Sequence, residues 1–288
     1  MSLVDLTRAR LRYDLLLGWA GHGRGLGRTY AAAVARADLA LDAARTRVAV
    51  ERIQRWTGMS AAAARGTYYS SLVSEAREEA DSALFMRDPG AFARWLPDAT
   101  DVPRPEGPVL YATLHFGHPV LSCVYLRRCA GIDVRPIIRG LDDGNPMADP
   151  KRGWGQRKVG WTRDLLDGAV FGVDGLATVR AREHLLNGGA VFAALDVPGD
   201  VSDRSSTVDV GGERLRFSTG VVSLAQMTRS TIVPVVAVSG TEQMGVRFGT
   251  PVVSTDGDPF PEVFAELSRF ILEDPGEWWL WPFVHGDG

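Results

Sequence analysis

Cysteine is nearly absent: Cys123 and Cys129 are the only two in 288 residues. That is too few for a disulfide framework or a cysteine-built zinc centre. Six positions apart, they fall on different faces of a helix and read as small apolar packing groups. No charge of one sign dominates. The 32 Lys+Arg against 35 Asp+Glu leave a formal net charge of −3, which gives no whole-chain attraction to nucleic acid or anionic lipid. Apolar runs stop well short of the ~18–20 residues that span a bilayer. The opening ten residues carry an acid and lack a signal peptide's apolar stretch, so the expected location is the cytoplasm. Internal repeats and low-complexity tracts are missing. The five histidines form no i, i+4 pair and no H-E-x-x-H, so neither a metal nor another cofactor is expected. No serine occupies a G-x-S-x-G elbow, which argues against a serine nucleophile.

What remains is a globular composition. With 45% hydrophobic residues the chain buries a large core, and wholesale disorder is excluded. Residues 1–98 read as a helical N-terminal extension packed on that core. Apolar and small residues recur there at helical spacing, Ser60 is a helix cap, and the glycine-rich stretch 21–27 reads as a flexible loop, not a phosphate cradle. Residues 99–288 read as an α/β domain. Strands are expected at 107–114, 133–138, 190–195 and 231–238, with helices through residue 128 and over 178–187, 218–229 and 258–273. This alternation predicts an α/β fold with a central, mostly parallel sheet flanked by helices on both faces.

The sharpest chemical feature is His115-Phe-Gly-His-Pro at the end of the first of these strands. Ligands bind in the crevice beyond the carboxyl ends of strands in open α/β sheets. A histidine there is placed as a general base; the alternative is that His115 and His118 only turn the chain into the next helix. Asp196 ends another strand and faces the same crevice, unless it caps its own loop. Arg139 ends a third. The run Lys151–Lys158 puts four positive charges in eight residues and reads as a loop, either gripping an anionic partner or simply solvated.

Four segments in order resemble the late acyltransferases of lipid A biosynthesis and the phosphatidylinositol mannoside acyltransferases, members of the glycerolipid (lysophospholipid) acyltransferase superfamily. They are His115-Phe-Gly-His-Pro-Val120, Arg139 with Asn145-Pro146, the stretch 188–196 with Gly199, and Asp274-Pro-Gly-Glu-Trp-Trp-Leu-Trp281, and the likeness covers roughly residues 50–283. It implies a glycerolipid acyltransferase-like sheet and acyl transfer from a thioester, on an acyl-carrier protein or coenzyme A, to a hydroxyl or amine. His115 would be the base, and backbone N–H groups around Gly117 would meet the oxyanion. Arg139, Asn145 and Arg157 would contact substrate, and Ser218 and Thr219 would line the acyl or acceptor site.

One departure bears on catalysis. The family sets an acid five residues after its histidine, and here that position is Val120. Losing such a partner costs on the order of 10⁴ in rate if nothing replaces it. Asp196 is the expected replacement, similar in placement to an acid of the mannoside enzymes, and His118 is a second candidate. Three readings therefore stand. The first is acylation of a glycolipid, with peripheral contact at the inner membrane face through residues 13–20. The second is acyl or aminoacyl transfer, including from a charged tRNA held by Lys151–Lys158, to a soluble amine or hydroxylamine of specialised metabolism. The third is a catalytically inactive binding homologue. An acid within about 3.2 Å of a His115 ring nitrogen separates catalysis from the third.

Overall fold

The structure is a computed structural model, and it describes residues 3–99, 101–138, 149–172, 176–198, 205–240, 243–254 and 257–283. The chain begins with α1 (Leu3–Arg10), a π-helical stretch (Leu11–Leu16) and α2 (Leu17–Ala20), followed by α3 (Arg24–Leu41), α4 (Ala43–Thr57), α5 (Ala61–Arg87) and α6 (Pro89–Trp95). Caps set the boundaries. The Asp42 side chain accepts from Arg45 N–H at 3.0 Å, that of Ser60 from Ala63 at 3.3 Å, and that of Asp88 from Ala91 at 2.9 Å, with Pro89 opening α6.

Strand and helix then alternate: β1 (Val109–Thr113), α7 (Pro119–Arg128), β2 (Val134–Ile138), α8 (Asp149–Leu165), β3 (Phe171–Gly172), α9 (Ala177–Leu186) and β4 (Ala190–Ala194). A hairpin of β5 (Ser205–Val210) and β6 (Glu213–Ser218) precedes α10 (Gly220–Thr228), β7 (Thr231–Val238), β8 (Gly245–Phe248), β9 (Val252–Val253) and α11 (Phe260–Glu273), and a 3-10 turn at Pro275–Glu277 leads into the aromatic end. Among the described residues the main sheet has seven strands in the order β3-β2-β4-β1-β7-β8, with β9 also on β7. The five from β3 to β7 are parallel, while β8 and β9 run antiparallel to β7. The fold is thus α/β with a mostly parallel mixed sheet and flanking helices.

Both sheet faces are covered, and alternation along each strand decides what goes where. Leu110, Ala112 and Leu114 join Val191, Leu195, Ile232 and Val236 in one core, against Tyr68, Phe264, Trp278 and Trp281. Val109 and Tyr111 face the other, with Phe192, Val233 and Val235 against Phe85, Trp95 and Leu126. Residues of α4, α5 and α6 complete both cores, and a third cluster, including Tyr13, Tyr30, Val34 and Trp154, packs α2, α3 and α8 on α5. Carboxylates are buried in α5 itself: Glu79 takes Arg12 at 2.9 Å and the hydroxyls of Tyr13 and Tyr30 at 3.0 and 2.8 Å. That network ties the amino-terminal helices down.

Two expected loops are helical. Lys151–Lys158 lies within α8 in spite of Gly153 and Gly155. Lys151 pairs with Glu75 at 3.7 Å, Lys158 with the buried Glu78, and Trp154 is buried; this packing outweighs the roughly 1 kcal/mol that each glycine costs a helix. Likewise α3 starts at Arg24, inside the stretch expected to be a flexible loop.

Candidate active site

The site is built where β1 and β4 end side by side. Thr113 pairs in parallel register with Ala194, so the residues two positions further on, His115 and Asp196, leave the sheet at the same height. His115 Nδ1 lies 2.8 Å from Asp196 Oδ1, and the His115 backbone N–H donates to Oδ2 at 2.7 Å. A third donor is the Trp278 indole N–H, 2.8 Å from Oδ2. Asp196 is wholly buried, while the His115 side chain is 39% exposed. With Nδ1–H given to the carboxylate, Nε2 is the basic nitrogen on the ring's open side.

The turn that carries His115 is braced from both flanks. Gly117 N–H donates to the Glu277 carbonyl at 3.0 Å, Trp279 N–H to the His115 carbonyl at 3.0 Å, and His118 N–H to the Ala237 carbonyl at 2.8 Å. The aromatic end of the chain therefore runs against the turn as an added strand segment. Trp279 itself stands 6.2 Å from the His115 ring and donates its indole N–H to Ser74 at 3.3 Å, and Ser74 donates to Glu277 at 2.5 Å.

Burial works to lower the His115 pKa, but the charge and hydrogen bond of Asp196 outweigh it, and the net value stands above that of an ordinary histidine. Lys158 opposes this rise and Glu75 adds to it. Because the folded pKa is raised, the pair stabilises the fold below the unfolded histidine value of about 6.5; that contribution fades as pH climbs through the folded one.

The remaining candidates divide. Ser218 ends β6 with its N–H on the Val197 carbonyl at 2.8 Å, directly beside Asp196, and Thr219 holds the N-cap position of α10 without a side-chain cap bond. Arg157 is exposed on α8, over the Trp154 ring at 5.6 Å. Arg139 and Asn145 lie outside the described residues. Two expectations need correction. Gly117 cannot offer its N–H to an oxyanion, since Glu277 already holds it, and the N–H groups of Phe116 and His118 are taken by the carbonyls of Leu114 and Ala237. His118 does not reach the open side with His115: it is 1% exposed, with Nε2 2.5 Å from Ser239 Oγ and 3.3 Å from Asp81. Its ring is held inside by these partners and by edge-on contact with Trp95.

Reading the sequence missed the indole donor of Trp278 on Asp196. It also missed Ser74, Glu75 and Glu78 of α5. Replacing Trp278 by Phe leaves two donors on the carboxylate. The expected result is a loss of about 1–3 kcal/mol in chemical denaturation and a rise in the His115 pKa, read by proton NMR, because less carboxylate charge is shared elsewhere. An unchanged pKa would mean that the indole takes no part in holding the pair.

Grooves of about 380 Å³ between α3, α4 and α5, and about 370 Å³ between α6 and the far end of α7, are not lined by the His115 turn. Among the described residues no set of three or more His, Cys, Asp or Glu gathers as a metal site, and no helix is long and apolar enough to cross a membrane. No family model matches the chain, and no curated protein matches it as a relative.

Proposed function

We propose that this protein is an acyltransferase with a glycerolipid acyltransferase-like sheet, moving an acyl group from a thioester donor to a hydroxyl or amine. The observation that carries this reading is the 2.8 Å contact between His115 Nδ1 and the buried Asp196, on a ring whose other edge is open. A thioester is already activated, so the reaction needs neither metal nor covalent enzyme intermediate, only a base and charge stabilisation. His115 Nε2 takes the acceptor's proton as its oxygen or nitrogen bonds to the thioester carbonyl carbon, and the carbonyl electron pair moves onto oxygen. Collapse of that intermediate expels the thiolate, which takes the proton back from Nε2. Asp196 holds the tautomer and stabilises the imidazolium, supplying the charge that Val120 cannot.

The same pair weighs against an inactive binding homologue, which has no use for a buried carboxylate fixed on a half-open imidazole. A charged-tRNA donor is less well supported, because Lys151 and Lys158, two of the four cations on which it drew, are occupied by Glu75 and Glu78. An acyl-carrier protein or coenzyme A donor is therefore proposed, with the enzyme acting in the cytoplasm, peripherally at the membrane face if its acceptor is a glycolipid. The test is mass spectrometry of wild type and His115→Ala incubated with acyl-carrier and coenzyme A thioesters and a panel of amines and alcohols. Product from the wild type and a loss on the order of 10³-fold or more in the variant are expected. Equal product from both would remove this mechanism.

A further inference from the structure

The groove between α3, α4 and α5 lies away from His115. Both α3 and α4 pack on α5, but they touch each other little beyond the corner that joins them, and a space of about 380 Å³ opens between the three. Asp42 makes that corner, with φ −120 and ψ 72 outside the helical region. Arg65, on the α5 side of the groove, precedes Ser74 by nine residues, about 14 Å along the helix. The groove is therefore separate from the His115 turn.

Its wall is apolar. Leu39 and Ala40 come from the end of α3, Ala43 and Val50 from α4, and Ala61 from the start of α5. The Thr46 hydroxyl, also in the lining, donates to the Leu39 carbonyl at 3.4 Å. Two cations complete the groove, Arg47 on α4 and Arg65 on α5. Both are exposed, and neither has a hydrogen-bond or ion-pair partner among the described residues. The nearby acids do not answer them. Asp38 pairs with Arg12 at 3.1 Å and Asp42 with Arg45 at 3.3 Å, while Glu51, one turn beyond Arg47, forms no pair with it. Four residues before Ala40 and four after Arg65, Arg36 lies over the Tyr69 ring at 5.9 Å, which adds a third positive charge beside the groove.

This make-up selects a ligand by chemistry. A bare anion gains nothing from the aliphatic wall, and a neutral hydrocarbon leaves both guanidiniums unused. A second copy of this chain, docked face to face about a two-fold axis, would set these arginines against themselves with no lining carboxylate between them. The volume falls within the range of small-ligand sites. We propose that the groove binds a single-chain amphiphile, with an aliphatic chain along the wall and a carboxylate or phosphate head gripped by Arg47 and Arg65. Guanidinium forks take either head bidentately. The proposal stands apart from the acyl-transfer reading, because no residue of the groove serves that site.

Isothermal titration of the full chain with decanoate, decyl phosphate, decanol and butyrate tests it, and the two charged chains separate a carboxylate head from a phosphate one. At least one of them is expected to bind about tenfold or more tighter than decanol and butyrate, and to weaken as salt is raised. Arg47→Gln and Arg65→Gln should each weaken that binding about tenfold, with decanol unaffected. Ala40→Phe, at an exposed position, should fill the groove and abolish binding of every chain, and its circular dichroism melt controls for folding. Charged chains that bind all three variants like wild type sit elsewhere, and that result would overturn the proposal. Equal affinity for decanol and both charged chains would overturn it as well. So would the absence of binding by either anion; if Ala40→Phe then removed self-association in sedimentation velocity, the occupant would be a second copy instead.

Discussion

Asp196→Asn is expected to lower kcat/KM by on the order of 10⁴, about 5 kcal/mol of transition-state stabilisation, while leaving the fold intact. The reason lies in how the carboxylate divides its oxygens. Oδ2 accepts both the His115 backbone N–H and the Trp278 indole N–H, and Oδ1 takes Nδ1–H. An asparagine keeps the two bonds at Oδ2 only by presenting its NH₂ to the imidazole. Nδ1 then has to accept, the ring proton moves to Nε2, and the base is lost in its resting tautomer. The amide's other orientation is worse, since it aims NH₂ at two N–H donors. Asp196→Ala would instead orphan both of those buried donors at about 1–3 kcal/mol each, which confounds activity with folding; the amide does not.

The pH profile supplies the control. In the wild type the raised His115 pKa sets the acid limb of kcat/KM, so activity rises with pH through a value above that of an ordinary histidine. Without the Asp196 charge and hydrogen bond, burial, the largest influence, is no longer outweighed, the pKa falls, and the limb moves to lower pH beneath a much lower plateau. Rates within threefold of wild type, or a limb that stays put, would exclude the pair from the chemistry.

Much of this site was legible because parallel strands end abruptly. The apolar run before His115 and the run before Asp196 each stop at a polar residue, and sheet order alone decides that the two become neighbours. The β5–β6 hairpin was also readable and was missed: Gly211 and Gly212, both at positive φ, sit between Val208, Val210, Leu215 and Phe217, all buried, as a two-glycine turn demands. Other features had no local signal. His118 lies three residues from His115 in the same turn, and it is the partners Ser239, Asp81 and Trp95, distant in sequence, that hold its ring inside. Glycines argued for a loop at Lys151–Lys158, and the outcome depended on acids some eighty residues earlier. In α5 no residue from Ser71 to Met86 is exposed, so acids and serines fall on every side of that part of the helix, and enclosure erases the periodicity that sequence reading uses. Which buried indole donates to Asp196 follows from tertiary position alone.

Gly117→Ala carries the largest expected effect on stability. Gly117 has φ +54, and a Cβ there would run into the Ala237 carbonyl oxygen, with the Val238 Cα also close at 3.1 Å. Neither obstacle is a side chain that can swing aside, since both belong to the backbone of β7, a strand buried between β1 and β8. Relief therefore means moving the turn, which breaks the Gly117 to Glu277 and His118 to Ala237 bonds and lifts the imidazole off Asp196. Strain at the left-handed residue adds about 1 kcal/mol or more, and the lost packing and bonds bring the sum to roughly 3–5 kcal/mol. At about 2–4 °C per kcal/mol for a chain of this size, the melting temperature should fall by roughly 6–20 °C, with activity lost well below the melt. Gly66→Ala is the matched control. Gly66 lies exposed on α5 with open space around it, so the same methyl should raise stability there by up to about 1 kcal/mol. If differential scanning calorimetry found the two substitutions alike, the close contact of the His115 turn with β7 would not be what holds the imidazole in place.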